Sequence, residues 1–215
     1  MFWRFVASAL LVLLTLPQDA SAGEWETIYT KKDIEVARKE IEDSPLMAFR
    51  GEGVVDVHIS LLVSVLKDSK LGPEWVDLQS ESSTIESISE DDRVIYNRYD
   101  LTWPVSDRDY VMRQITTYDE VSKVITVGYE STEHADRPEN DCCVRAQAIR
   151  TFWRFQALPE GKTKVEVEVL TDPKGSLPAW LVNMIQRGWP YNSITGLSLR
   201  ASKGDVEKHP KSASW

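Results

Sequence analysis

Residues 102–113, TWPVSDRDYVMR, join two stretches of alternating apolar residues, and their reading decides the fold. Residues 94–101 and 110–118 on either side repeat with period two, the mark of strands that bury one face. Pro104 removes a backbone donor and biases Trp103 towards an extended conformation, so strand pairing is expected to lapse there. The segment therefore divides into an apolar tip, Trp103-Pro104-Val105, free to close over an opening, and the charges Arg108 and Asp109, which brace the strand that resumes. Parity puts Arg108, Tyr110, Met112 and Gln114 on one face of that strand and Asp109, Val111, Arg113 and Ile115 on the other.

Outward from this point the alternation recurs over residues 34–41, 47–57, 84–89, 123–131, 142–157 and 163–172. Short polar turns such as Glu90-Asp91-Asp92, Asp119-Glu120 and Pro159-Glu160-Gly161 suit hairpins, which predicts a largely antiparallel sheet. The polar connection over 133–141, EHADRPEND, is expected to be solvated. Two segments break the pattern. Residues 58–68 set Leu61, Leu62, Val65 and Leu66 on one helical stripe; residues 177–199 repeat Trp180, Leu181, Met184 and Ile185 at helical spacing behind Pro178. Gly188 and Pro190 predict a kink or opening near 187–191. The class is α+β, a curved antiparallel sheet wrapped around a long C-terminal helix, with interior space suited to a hydrophobic ligand. Residues 203–215 lack an apolar face and are expected to form a disordered tail.

The first residues carry a different signal. Arg4, the apolar run FVASALLVLLTL and Ala20-Ser21-Ala22 form a signal-peptide pattern over residues 1–22, with cleavage expected after Ala22. The run is shorter than the ~20 residues of a membrane-spanning helix, although an uncleaved anchor is the alternative. Either reading exports one domain, residues 23–202, to a periplasmic or secreted location. The formal net charge of -9 disfavours a nucleic-acid partner, which needs clustered Lys and Arg. It also argues against strong electrostatic docking on anionic lipid, so any membrane contact is expected to be apolar or transient. The two cysteines, Cys142 and Cys143, are neighbours. In a strand they would point to opposite faces, so two separate thiols are expected, at least one of them buried; a vicinal disulfide is the alternative.

No catalytic constellation is present. His58, His134 and His209 have no metal-ligand spacing, no Ser lies in a GxSxG elbow, and no glycine-rich phosphate loop occurs. No metal, no cofactor and no catalytic activity are expected; the alternative is a cyclase-like enzyme on the same scaffold, with Tyr110, Asp109 and Arg145 as its groups.

Two motifs nonetheless resemble a family. Trp103-Pro104-Val105-Ser106-Asp107-Arg108-Asp109-Tyr110 is similar to the "WPxxxRDY/F" segment of START domains, the steroidogenic-acute-regulatory-protein-related lipid-transfer family. The stretch 172–183, DPKGSLPAWLVN, looks like the same family's "DpkGxlPxxlvN" approach to its last helix, with Gly175 for a tight turn and Asn183 either bonding a neighbouring loop or facing the pocket. Val144-Arg145, Trp25, the strand 34–38 and the pattern running from Leu62 to Asp68 and Trp75 match as well, so the resemblance spans residues 24–200. It implies a helix-grip fold whose tunnel holds one lipid (a sterol, a hopanoid-like molecule or a phospholipid), gated by the Trp103 loop and the last helix. On that reading Trp103, Tyr110, Met112, Gln114, Arg145, Trp180, Leu181, Met184 and Ile185 meet the ligand, and Arg108, Asp109, Gly175 and Asn183 are structural. The expected partners are the lipid and a transient membrane contact, with the chain acting as a monomer. Some sterol-binding members carry an arginine where this chain has Gln114, so their charged anchor is not carried over.

Overall fold

The computed structural model describes residues 23–215, and the signal-peptide reading lies outside the described residues. In chain order the strands are β1 (Glu26–Lys31), β2 (Ile34–Glu40), β3 (Met47–Val55), β4 (Gln79–Ser87), β5 (Asp92–Tyr99), β6 (Arg108–Asp119), β7 (Val124–Ser131), β8 (Val144–Arg145), β9 (Gln147–Ala157) and β10 (Thr163–Asp172). Helix α1 (Ile59–Lys67) follows β3, and α2 (Ala179–Ala201) follows β10. They form one sheet in the order β1-β2-β3-β10-β9-β7-β6-β5-β4, with the short β8 pairing in parallel with the start of β6. This is the curved antiparallel sheet and long C-terminal helix expected from periodicity.

The strands follow from alternation at their centres and from pairing at their edges. Val165, Val167 and Val169 of β10 alternate buried with the solvated Lys164 and Glu166. Edge strands β1 and the first half of β4 escape the sequence reading, because ETIYTK is exposed at both ends and QSESS has few strand-forming side chains. On β5 both faces hold apolar side chains: Ile95 joins the main core, while Val94 and Tyr96 with Val111 form a second cluster on the outer face. The 133–141 connection is largely solvated, as expected, and turns only His134 and Arg137 in towards the sheet. The Arg137 guanidinium lies 4.1 Å from the Tyr96 ring centroid and Arg137 pairs with Glu81 at 2.8 Å.

Helix α1 begins where His58 Nδ1 accepts the Ser60 amide (3.2 Å), which leaves Nε2 protonated to donate to the Trp215 carbonyl at 3.1 Å. That contact overturns the disordered tail. Residues 203–215 fold back on α1: His209 stacks on Tyr118, Trp215 packs on the core, and the Ser60 carbonyl accepts the His209 amide. The tail lacks an apolar stripe because single residues, not a face, make the contact.

Helix α2 runs unbroken through Gly188 and Pro190, contrary to the expected opening. Its inner stripe is Val182, Tyr191, Ile194, Leu197 and Ala201. The helix makes close approaches at two glycines, one to the sheet and one to the turn after α1. A Cβ on Gly51 of β3 would stand 2.8 Å from Pro190 Cβ, and one on Gly196 would collide with the Trp75 carbonyl. Pro190 is thus accommodated by the missing side chain opposite it.

Cys142 and Cys143 are joined in a vicinal disulfide, which corrects the expectation of two thiols. They lie in the turn before β8, where the alternation of a strand does not apply, and neither is buried.

Candidate functional site: the cavity beneath the last helix

Between the concave sheet face, α2 and the turns after α1 lies a cavity of about 320 Å³, within the range of small-molecule pockets. Its middle is apolar and aromatic. Trp153 on β9 is 2% exposed and meets Trp75 edge-on at 6.0 Å and Trp189 of α2 at 6.1 Å. Leu66, Ile95, Met112 and Ala148 complete this belt. Such a surface gives apolar chains or rings about 25 cal/mol for each Å² removed from water.

Polar groups sit towards both ends. Cross-strand register sets Tyr99 beside Arg108, Asn97 beside Tyr110, Ile95 beside Met112 and Arg93 beside Gln114. Burial holds the Tyr99 and Tyr110 hydroxyls above their ordinary pKa and pushes Tyr129 up to about 12, so all three are neutral donors at physiological pH. Trp75 Nε1, Gln79 Oε1, Thr151 Oγ1 and Gln186 Oε1, all on lining residues, have no hydrogen-bond partner among the described residues, which gives the wall unused polar capacity.

Of the residues expected to meet a ligand, Tyr110, Met112, Gln114 and Ile185 line the cavity, and Trp103, Arg145, Trp180, Leu181 and Met184 do not. Trp180 and Met184 are 68% and 58% exposed. The first two turns of α2 are apolar except for Asn183, so spacing alone could not choose the inward face, which carries Val182, Ile185, Gln186 and Trp189. Trp103 is 89% exposed at the tip of the β5–β6 connection. Asp107 closes the base of that loop, accepting from the Leu101 amide (2.9 Å) and from Arg98 (2.8 Å).

Arg108 and Asp109 are braces, each with its own partners. Arg108 donates to the Ser106 carbonyl and, at 3.2 Å each, to the carbonyls of Pro173 and Lys174, so it pins the start of β6 to the turn before α2. Gly175 in that turn has φ +72°, a conformation that favours glycine. Asp109 points to the other face and pairs with Arg145 at 2.8 Å, so two of the three groups of the enzyme alternative stand outside the cavity lining and Tyr110 alone lines it. Asn183 bonds the β2–β3 loop: its Oδ1 accepts the Met47 amide and its Nδ2 donates to the Pro45 carbonyl, both at 3.1 Å. Sequence reasoning missed Arg93, Asn97 and Tyr99 on β5, and Trp153 and Tyr129. The odd-numbered face of β5 was available as a signal, but apolar Val94 and Tyr96 on the even face masked it.

A family model for the START domain matches residues 6–189. The chain belongs to the START domain family. Its relatives include an uncharacterised Pseudomonas aeruginosa protein, 24% identical over 185 residues that cover 86% of this chain and 90% of that one. Bovine phosphatidylcholine transfer protein is 28% identical over 166 residues, 76% of this chain and 77% of the bovine protein. Among solved structures, human StAR-related lipid transfer protein 5 superposes with a TM-score of 0.77 at 20% identity, covering 86% of this chain and 89% of the human one. That likeness shows the helix-grip START fold, in which the cavity described above is enclosed.

Proposed function

We propose that this START protein binds a single lipid in the cavity beneath α2 and carries it between membranes without covalent chemistry. The observation that carries the reading is the aromatic and apolar middle of the cavity, walled by Trp75, Trp153 and Trp189 and flanked by polar groups at both ends. An amphiphile needs that distribution. The transfer activity named in the bovine relative supports the same reading. Release requires a gate. The Trp103 loop and the first turns of α2 are the elements we assign to it, because Leu101 of the loop and Ile185 of the helix both line the cavity and Ile185 stands about half exposed. The exposed Trp103, Trp180 and Met184 supply apolar, transient contact with a bilayer, and the protein acts as a monomer. The signal-peptide pattern and the Cys142–Cys143 bridge support a periplasmic or secreted site of action.

Native mass spectrometry of the protein purified from its own compartment tests the reading. One lipid per chain is expected; a protein that carries no lipid and takes none up from vesicles contradicts it.

A further inference from the structure

Tyr99 and Arg93 mark two ends of the cavity, six residues apart on β5, or about 20 Å at ~3.4 Å per residue. Tyr99 lies at the Arg108 end, beside the turn that leads into α2. Arg93 lies at the far end, where Asp68 and Ser69 follow α1. The apolar belt separates them.

At that far end the polar groups form a chain with a fixed direction. Arg93 Nε donates to Gln114 Oε1 at 2.5 Å, and Gln114 Nε2 donates to the Tyr129 hydroxyl at 2.8 Å. Because a guanidinium can only donate, the amide of Gln114 has one orientation, and the Tyr129 proton is left to donate elsewhere. Gln114 is 2% exposed, so this is a built arrangement inside the protein. Arg93 forms no ion pair with any carboxylate among the described residues, and its two terminal nitrogens donate to nothing there. Asp68 acts on it through space, but its Oδ1 already accepts the Lys70 amide at 3.0 Å. On the outer side of the same wall stand Lys67, which is paired with Asp91, and Lys70. Arg93 is partly withdrawn from water with no carboxylate in contact, a costly setting for a cation, and an anion delivered by a ligand reduces that cost.

We propose that the cavity takes an amphiphile whose anionic group, a carboxylate or a phosphate, is held at the inner end by Arg93. Gln114 is the positioning residue that aims the guanidinium, and the Tyr129 hydroxyl supplies a second donor. The assignment rests on the lipid-carrying reading above and adds the charge of the ligand to it.

The test titrates the wild-type protein, Arg93→Met and Arg93→Lys with two matched pairs, each displacing Nile red. One pair is oleate and oleyl alcohol, and the other is dioleoyl phosphatidic acid and dioleoylglycerol. The wild type is expected to prefer the anionic member of at least one pair, and which pair shows it identifies carboxylate or phosphate. Arg93→Met is expected to lose about tenfold or more on that anion and about twofold at most on its neutral partner, the size of one charge-assisted hydrogen bond. Arg93→Lys should keep most of the preference. Tight binding without an anion preference, or equal weakening of both members in Arg93→Met, overturns the anion assignment alone. Failure of the wild type to bind any of the four or Nile red overturns the carrier reading with it. If Arg93→Met does not fold, the wild-type preference decides.

Discussion

Arg145 reaches across the parallel β6–β8 contact and grips Asp109 with two hydrogen bonds, Nε to Oδ1 at 2.8 Å and Nη2 to Oδ2 at 2.9 Å. The same guanidinium also donates to the Arg137 carbonyl at 3.2 Å, so one side chain ties the strand, β8 and the 133–141 connection together. The Asp109 carboxylate is nearly inaccessible, and removing one partner leaves the other partly buried and unpaired. Asp109→Ala is therefore expected to cost about 3 kcal/mol, read from urea unfolding. The double variant with Arg145→Met should lose clearly less than the sum of the two single variants. Additive losses would show that the pair does not act as a unit.

Glycine positions along α2 separate close packing from simple helix propensity. Gly196→Ala forces a Cβ onto the backbone carbonyl of Trp75, which cannot rotate away, and Gly51→Ala forces one onto Pro190. Each is expected to cost about 1–3 kcal/mol. Gly188→Ala would meet only the Asn192 amide at 4.0 Å and should be neutral or stabilising by up to about 1 kcal/mol. Melting temperatures of the three variants check the order; a loss at 188 as large as at 196 would contradict the placement of the helix.

How much of this was legible in the sequence differs by element. Helix α1, the core strands and the turn into α2 were readable because alternation, helical spacing and the motifs around Asp109 and Gly175 agree. The cavity wall was readable on β6, where parity put Tyr110, Met112 and Gln114 together, and unreadable on β5, where Val94 and Tyr96 make the outer face look like the buried one while Arg93 and Asn97 face the cavity. The ion pair of Asp109 with Arg145 joins residues 36 apart, and the docking of Trp215 on His58 joins residues 157 apart, so no local pattern reports either. The face of α2 was misread because Trp180, Leu181 and Met184 are apolar yet point away from the cavity.

The docked tail should respond to acid. Burial, followed by the charges of Lys67 and Lys211, holds the His209 imidazole below its ordinary pKa, while Asp91 and Glu90 oppose the shift. A depressed pKa contributes stability that is whole above the unfolded value, about 6.5, and is lost as pH falls through the folded value. Asp91 follows the same rule at lower pH. Burial alone would raise its carboxyl, but hydrogen bonds from Lys211, Lys67 and Tyr118 hold it well below the usual carboxylate range, so its contribution is lost only below about pH 4. Hydrogen exchange over residues 203–215 is expected to speed up between pH 7 and pH 5, after correction for the intrinsic rate. In His209→Gln that dependence should flatten; an unchanged slope would show that another group carries it.

Trp103 contributes exposure rather than packing. Trp103→Ala is expected to shift unfolding by no more than about 0.5 kcal/mol, because 89% of the residue is already in solvent. It should slow lipid transfer between vesicles several-fold while leaving the amount of lipid bound at equilibrium unchanged. Equal transfer rates would remove the loop from the gate.

The central claim is that the ligand lies inside, against the aromatic belt. Photolabelling with a fatty acid that carries a diazirine midway along its chain, followed by peptide mass spectrometry, tests it most directly. The account predicts one label per chain, placed on lining residues such as Met112, Trp153 and Trp189 and displaced by excess unlabelled lipid. Labels confined to the exposed Trp103, Trp180 and Met184, with the belt unmodified, would contradict it.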